Sequence, residues 1–446
     1  MALFSSVSLC MLLLLSFFFF PCFSSKPNNQ QVNESFSLSF SLESLPISKN
    51  TKTKTNPQLS TLSSSSSSSP SSLNVKSSFK YSTGLVVTLP IGTPPQLQQM
   101  VLDTGSQLSW IQCNNKKTPQ KELPHKESFD PSLSSSFAAL PCNHPVCKPR
   151  IPDFSIPTDC DDKRLCHYSY FYADGTLAEG NLVREKISFS SSQSTPPIIL
   201  GCASQSEDAR GILGMNLGRL SFPSQAKITK FSYCVPTKQA QSASGSFYLG
   251  NNPSSSSFRY VNMLTLSQSQ RKPNLDPFAY TLPLQGISIG GKKLNIPPTV
   301  FKPDAGGSGQ TLIDSGSELT YFIDAAYNVI HEELVKKVGP RIKKGYEYGG
   351  GVADICFDGD AIEIGRLIGD MVFEFENGVE IVIPKERVLA EVEGGVHCLA
   401  IGRSERMGGG GNIIGNFHQQ NLWVEFDLAN HRVGFGEVAD CSKSAK

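Results

Sequence analysis

Apolar positions between residues 80 and 441 fall in short runs broken by Gly and Pro, seldom at the three- and four-residue spacing of a helix. Residues 81–88 and 89–92 read as strands, as do 280–290, 371–375, 379–383 and 422–427. One segment carries helical spacing: Tyr327, Ile330 and Leu334 share a face, Asp324 stands at the start as a cap, and Lys336-Lys337 close it. The pattern predicts an all-β protein with few short helices. The N-terminus differs. Leu12 to Leu15 and Phe17 to Phe20 form an apolar run that is too short to cross a bilayer and ends in small residues, so 1–25 reads as a signal peptide, although no charge precedes it. Residues 26–79 are rich in Ser, Asn and Lys, with Ser63 to Ser69 uninterrupted. Such a stretch buries too little apolar area to offset its ordering entropy and reads as a propeptide or disordered leader, which places the start of the fold near Lys80. The sequon Asn33-Glu34-Ser35 falls in this leader, making Asn33 the candidate glycosylation site.

Two of the apolar runs end alike. Met100-Val101-Leu102 leads into Asp103-Thr104-Gly105-Ser106, and Leu312-Ile313 into Asp314-Ser315-Gly316-Ser317. Each aspartate therefore sits at a strand exit in a tight turn. The likeness extends further: each motif follows a strand pair with a Gly/Pro turn, at 85–95 and 284–294. Each also precedes two apolar residues and a glycine, Ile212-Leu213-Gly214 lying 111 residues after Asp103 and Ile413-Ile414-Gly415 lying 101 after Asp314. The period is too long for a solenoid and fits two homologous lobes, 80–265 and 278–446, joined through the polar stretch 266–277. Two facing carboxylates cannot both ionise, so one stays protonated as an acid while the other serves as a base.

In a chain of 446 residues, 40 Lys and Arg balance 39 Asp and Glu, so charge offers no case for nucleic acid or an anionic membrane as partner. No second apolar stretch approaches the length of a membrane helix, and the ending Cys441-Ser442-Lys443-Ser444-Ala445-Lys446 carries no lipid-anchor signal. Of 12 cysteines, Cys10 and Cys22 leave with the signal peptide; the remaining ten imply five disulfides in an oxidising compartment, with the connectivity open. A zinc site is the competing reading of Cys142, Cys147, Cys160, Cys166 and His167, but the spacing does not match the usual ligand knuckles. No metal or cofactor is implied. A serine hydrolase lacks its Gly-x-Ser-x-Gly elbow here.

The paired Asp-x-Gly-Ser motifs and their Ile/Leu-Gly partners resemble the pepsin-like aspartic proteases, specifically the plant nepenthesin-like, atypical branch, over about residues 80–441. That resemblance implies a bilobal all-β fold with a central cleft. It also implies an endopeptidase that hydrolyses polypeptides at acidic pH through a water held between Asp103 and Asp314. In this picture Thr104, Gly105, Ser106, Ser315, Gly316 and Ser317 support the catalytic loops. The segment Tyr170-Phe171-Tyr172-Ala173-Asp174-Gly175-Thr176 is similar to the family's flap, which makes Tyr172 the flap tyrosine, with Asp174 and Gly175 at the tip and Trp110 as its hydrogen-bond donor. Ala173 stands where the family usually has glycine.

The cysteines between first motif and flap look like the nepenthesin-type insertion. By that analogy the pairs are Cys113–Cys202, Cys142–Cys166, Cys147–Cys160, Cys234–Cys441 and Cys356–Cys398. The compact organisation, with no saposin-like insert and a Ser-rich leader, is similar to the Promotion of Cell Survival type. This implies a zymogen-like monomer of the secretory pathway, extracellular or resident in the endoplasmic reticulum, and inhibited by pepstatin-type compounds. The alternative is a catalytically inactive pepsin-fold protein that binds or inhibits a partner. Such relatives usually lose part of a catalytic motif, and here both are whole.

Overall fold

In the strand Gln96–Asp103, Gln98, Met100 and Leu102 point inward while Leu97 and Gln99 face solvent, the period-two pattern of a half-buried strand. The computed structural model in which this is seen describes residues 37–46, 83–114, 128–147, 156–172, 175–190, 193–206, 210–237, 244–266, 272–349, 351–392 and 394–441. The signal-peptide reading, the Asn33 sequon and Asp174 lie outside the described residues. Gln96–Asp103 pairs antiparallel with Thr83–Ile91, forming the expected hairpin, and parallel with Gly211–Gly214. These three belong to one long sheet. On one side it continues through Trp110–Gln112, Ile198–Ser206, Leu177–Glu185, Cys166–Phe171 and Thr158–Cys160.

On its other side the same sheet departs from expectation twice. The strand next to Thr83–Ile91 is Ser37–Pro46, drawn from the segment read as a disordered leader. It pairs on both edges, with Thr83–Ile91 and with Gly245–Gly250. The fold therefore begins well before Lys80. The physical reason is an alternation that the Ser-rich composition obscures: Leu38, Phe40 and Leu42 turn inward while Ser37, Ser39 and Ser41 are exposed. Leu42 is fully buried, and the Phe40 ring lies 5.9 Å from both Phe189 and Phe247. Beyond Gly245–Gly250 come Lys230–Cys234, then Leu422–Asp427, Arg432–Glu437 and Arg259–Asn262. The C-terminal hairpin thus leaves its own half of the sequence to complete the first half's sheet, so the lobe 278–446 is not self-contained. Phe426 on that hairpin stacks on Phe231 at 4.6 Å and meets Tyr280 at 4.4 Å, a fully buried seam between the halves. Burial of each such ring is worth about 1.5–3 kcal/mol.

The rest of the second half forms smaller sheets. Lys292–Lys293, Leu284–Ile289, Met371–Phe375 and Glu380–Ile383 make one; Thr311–Ile313, Asn412–Ile414, Thr320–Phe322 and Ile401–Arg403 make another. Beside them lies the helix Asp324–Val338, with Tyr327, Ile330 and Leu334 buried on one face. Asp324 is its first residue rather than its cap. Its N–H donates to Glu405 Oε1 at 2.9 Å and its carboxylate takes the Arg403 guanidinium at 2.8 Å, so its charge acts on the helix's positive end.

The structure joins Cys113 to Cys202, Cys234 to Cys441 and Cys356 to Cys398. The remaining pairs differ from the nested pattern Cys142–Cys166 and Cys147–Cys160. They interleave, as Cys142–Cys160 and Cys147–Cys166. Burial explains the exchange: the 3-10 turn Pro145–Cys147 tucks Cys147 inward against the buried Cys166, leaving the more exposed Cys142 and Cys160 to each other.

Candidate active site

Each motif aspartate is delivered by a strand that lies parallel to its trailing apolar segment. Met100 to Asp103 pairs with Gly211–Gly214, and Thr311–Ile313 with Asn412–Ile414. The trailing segments thread so closely against the loops that Gly214 and Gly415 admit no side chain: a Cβ would come 2.7 Å from Gln107 O and 2.0 Å from Leu319 O. The backbone is anchored at both aspartates, Met215 N–H donating to Asp103 O at 2.8 Å and Asp314 N–H to Ile414 O at 3.0 Å.

The two loops grip each other through the residue after each aspartate. Thr104 N–H donates to Ser315 Oγ at 3.1 Å and Ser315 N–H to Thr104 Oγ1 at 2.8 Å, while the Ser315 hydroxyl donates to Leu102 O at 2.7 Å. Within the first loop, the N–H groups of Gly105 and Ser106 donate to Asp103 Oδ1 at 2.8 and 3.1 Å, and the Ser106 hydroxyl holds Oδ2. Within the second, Gly316 N–H donates to Asp314 Oδ1 at 2.9 Å and the Ser317 hydroxyl to Oδ2 at 2.7 Å. Both carboxyls are fixed in orientation from behind.

They also face each other. An added Cβ on Gly316 would lie 2.4 Å from Asp103 Oδ1, and one on Gly105 would lie 3.1 Å from the carboxylate of Asp314. Each carboxylate therefore rests against the glycine of the opposite loop. Asp103 and Asp314 are 7 % and 8 % exposed and line one cleft of about 290 Å³. Burial, and next the charge of Asp314, push the Asp103 carboxyl up to about 7, against the lowering effect of its Ser106 and Gly105 donors.

Over the cleft stands the hairpin of Cys166–Phe171 and Leu177–Glu185. At its turn Tyr172 N–H donates to Thr176 O at 3.0 Å and Gly175, at φ 82°, donates to Tyr172 O at 2.9 Å. Trp110 Nε1–H donates to the Tyr172 hydroxyl at 2.6 Å, and the Tyr172 ring meets Tyr170 edge-on at 4.7 Å. Tyr172, Tyr170, Trp110 and the exposed Phe171 all line the cleft.

Several residues that sequence reasoning passed over belong to the same machinery. Asn216 and Asn416 occupy matching places: their side-chain amides donate to Gly105 O at 3.3 Å and Ser315 O at 2.9 Å, and their N–H groups to Ser106 O and Ser317 O. The signal was present as an asparagine just beyond each Ile/Leu-Gly, in Gly214-Met215-Asn216 and Gly415-Asn416. Gln419 is buried beneath, donating to Asp314 O at 3.2 Å and accepting from the Tyr233 hydroxyl at 2.6 Å. Asp276, from the expected linker, lines the cleft as well.

Comparison with known proteins agrees with this geometry. The xylanase inhibitor N-terminal family model matches residues 85–251 and the xylanase inhibitor C-terminal model matches 279–437. The aspartic proteinase PCS1 of Arabidopsis thaliana is 36% identical over 399 residues, 83% of this chain and 85% of that one. The chain belongs to the plant pepsin-like aspartic proteases. A second relative of this aspartic protease is the aspartic proteinase nepenthesin-1 of Nepenthes gracilis, 34% identical over 80% of this chain and 78% of its own. Among solved structures, edgp superposes with a TM-score of 0.58 at 18% identity, over 80% of this chain and 94% of its own. Soybean basic 7S globulin does so with 0.58 at 16%, over 81% and 96%. These two support the fold of the aspartic protease, a bilobal all-β architecture. Family membership makes the protein an aspartic-type endopeptidase acting on polypeptides.

Proposed function

We propose that this aspartic endopeptidase cleaves peptide bonds with Asp103 and Asp314 as a dyad sharing one proton. The observation that carries the reading is the mutual approach of two buried carboxyls, each fixed by its own loop and pressed against the other's glycine. With Asp103 protonated and Asp314 ionised, a water between them attacks the scissile carbonyl carbon. Its proton passes to Asp314 while Asp103 protonates the carbonyl oxygen, giving a neutral gem-diol. Breakdown reverses the roles: Asp314 protonates the leaving nitrogen as the C–N bond breaks, and Asp103 takes back a proton from one gem-diol hydroxyl. The dyad ends as it began. Tyr172, held by Trp110, closes over the bound chain and excludes solvent.

The reading requires a pH below the point at which the shared proton is lost, and the elevated Asp103 puts that limit at about 7. Pepstatin-type inhibition and a monomeric state follow from the same reading. Residence in the endoplasmic reticulum or outside the cell is supported by the five disulfides among the described residues, which suit an oxidising compartment, while no helix among those residues is long and apolar enough to cross a membrane. The test is cleavage of denatured globin between about pH 3 and 6, with and without pepstatin. Cleavage that survives Asp103→Asn, or none by the folded wild type, refutes the dyad and favours a pepsin-fold binding protein.

A further inference from the structure

A third carboxylate reaches the cleft. Asp276 lines it together with Asp103, Asp314 and Tyr170, close enough for the Asp314 charge to act on it and for its own charge to act on the Tyr170 hydroxyl. Its position is built. Asp276 N–H donates to Gln310 Oε1 at 2.9 Å, its carbonyl accepts from Gln310 Nε2 at 2.7 Å, and Gln310 is itself fully buried. The carboxylate is turned toward Phe278, whose N–H donates to Oδ1 at 2.8 Å, and Phe278 O in turn accepts from Leu217 N–H at 2.9 Å beside the first catalytic loop. A short segment is thus clamped at each end, and the side chain has little freedom to swing away.

Among the described residues Asp276 forms no ion pair, although Arg210 lines the same cleft. A partly buried carboxylate beside another carboxylate is costly to ionise alone, and burial with the Asp314 charge raises its proton affinity. What relieves that cost is a cation, and the cleft's occupant is a polypeptide. We propose, building on the dyad reading, that Asp276 is a specificity-determining residue that receives a Lys or Arg side chain of the substrate near the scissile bond.

Such a contact contributes more in the desolvated cleft than on the surface, and its removal leaves the substrate's charge unpaired. The test separates recognition from turnover. Equilibrium binding is measured in the full-length Asp103→Asn protein, with peptides in which Lys or its uncharged isostere norleucine is moved through the positions flanking the cleaved bond. At one position the Lys peptide binds at least about tenfold tighter. That ratio collapses in the Asp103→Asn/Asp276→Asn double variant and is largely kept with Asp276→Glu, which preserves the charge. Equal affinities at every position, or a Lys preference that persists without the Asp276 carboxylate, overturn the proposal. Thermal unfolding of each variant confirms that the ratio is read on folded protein. Because the readout is binding, the proposal stands or falls whether or not the wild type cleaves, and wild-type cleavage tests the dyad alone.

Discussion

Gly316→Ala is the sharpest probe of the dyad, because the new methyl carbon would stand 2.4 Å from Asp103 Oδ1 and 2.5 Å from its Cγ. Real Cβ atoms essentially never approach within 3.0 Å, so the two must part by about 0.6 Å or more. The Asp103 carboxylate cannot yield freely, since Gly105 N–H, Ser106 N–H and the Ser106 hydroxyl all hold it. Each such hydrogen bond is worth about 0.5–1.5 kcal/mol, and three hold this carboxyl, so the opposing loop gives way instead and the dyad opens. A misplacement on the order of 1 Å costs about a hundredfold in rate, roughly 2.7 kcal/mol in barrier. The matching change Gly105→Ala meets Asp314 at 3.1 Å, where a few tenths of an ångström suffice, and costs about tenfold or less. The assay is kcat/KM on an internally quenched peptide, with thermal unfolding to show that both variants fold. Gly316→Ala retaining half the wild-type activity, or Gly105→Ala proving the more damaging, would refute the facing geometry.

Three further outcomes follow. Asp103 binds its proton more tightly in the folded protein (about 7) than at its ordinary value of 3.8, so its contribution to stability is full below about pH 4 and lost as pH rises toward about 7. Asp103→Asn cannot titrate there, and its melting temperature relative to wild type should climb across that window; a constant difference contradicts the assignment. Trp110→Phe keeps a ring but removes the donor to Tyr172, so kcat/KM should drop several-fold with about 1 kcal/mol lost in stability, and unchanged kinetics would mean that this bond does not position the flap. Leu42→Ala should destabilise by about 2–5 kcal/mol, because the side chain is fully buried in a strand paired on both edges; a denaturation midpoint equal to wild type would show that the strand contributes nothing to the fold.

The facing carboxyls were legible because each lies in the same short run, Asp followed by a small hydroxyl residue and Gly, and this chain writes that run twice. The parallel partners were legible for the same reason, as each is an apolar pair closed by a glycine, Gly214 or Gly415, where the loop leaves no room for a side chain. What lay hidden was whatever depends on distant pairing. Leu38, Phe40 and Leu42 alternate as a strand should, but each is separated by Ser, and composition over a long window outweighed alternation over a short one. The disulfide partners of Cys142 and Cys147 turn on which sulfur faces inward, a property of one tight turn. Asp276 sits beside Pro277 in a polar stretch that reads as linker, and the backbone clamp of Gln310 together with the Leu217–Phe278 hydrogen bond holds it at the cleft.

The two halves are copies in their loops but not in their neighbours, and that difference reaches the two carboxyls. The Thr104 hydroxyl accepts from Ser315 N–H and shares its own proton between Ile313 O at 3.4 Å and Asp314 Oδ1 at 3.3 Å, whereas the Ser315 hydroxyl commits wholly to Leu102 O at 2.7 Å. Among the described residues Asp314 therefore has a donor from the opposite loop, whereas the three donors to Asp103 all come from its own loop. Asp103 instead lies close to the partly buried, edge-on Tyr170 and Tyr172 rings of the hairpin over the cleft. Burial, and next the charge of Asp314, favour the neutral acid at Asp103. Two like loops thus meet unlike surroundings, the Tyr172 hairpin beside Asp103 and the Thr104 hydroxyl beside Asp314, and in the proposed dyad the elevated Asp103 is the acid because of its burial and the neighbouring Asp314 charge.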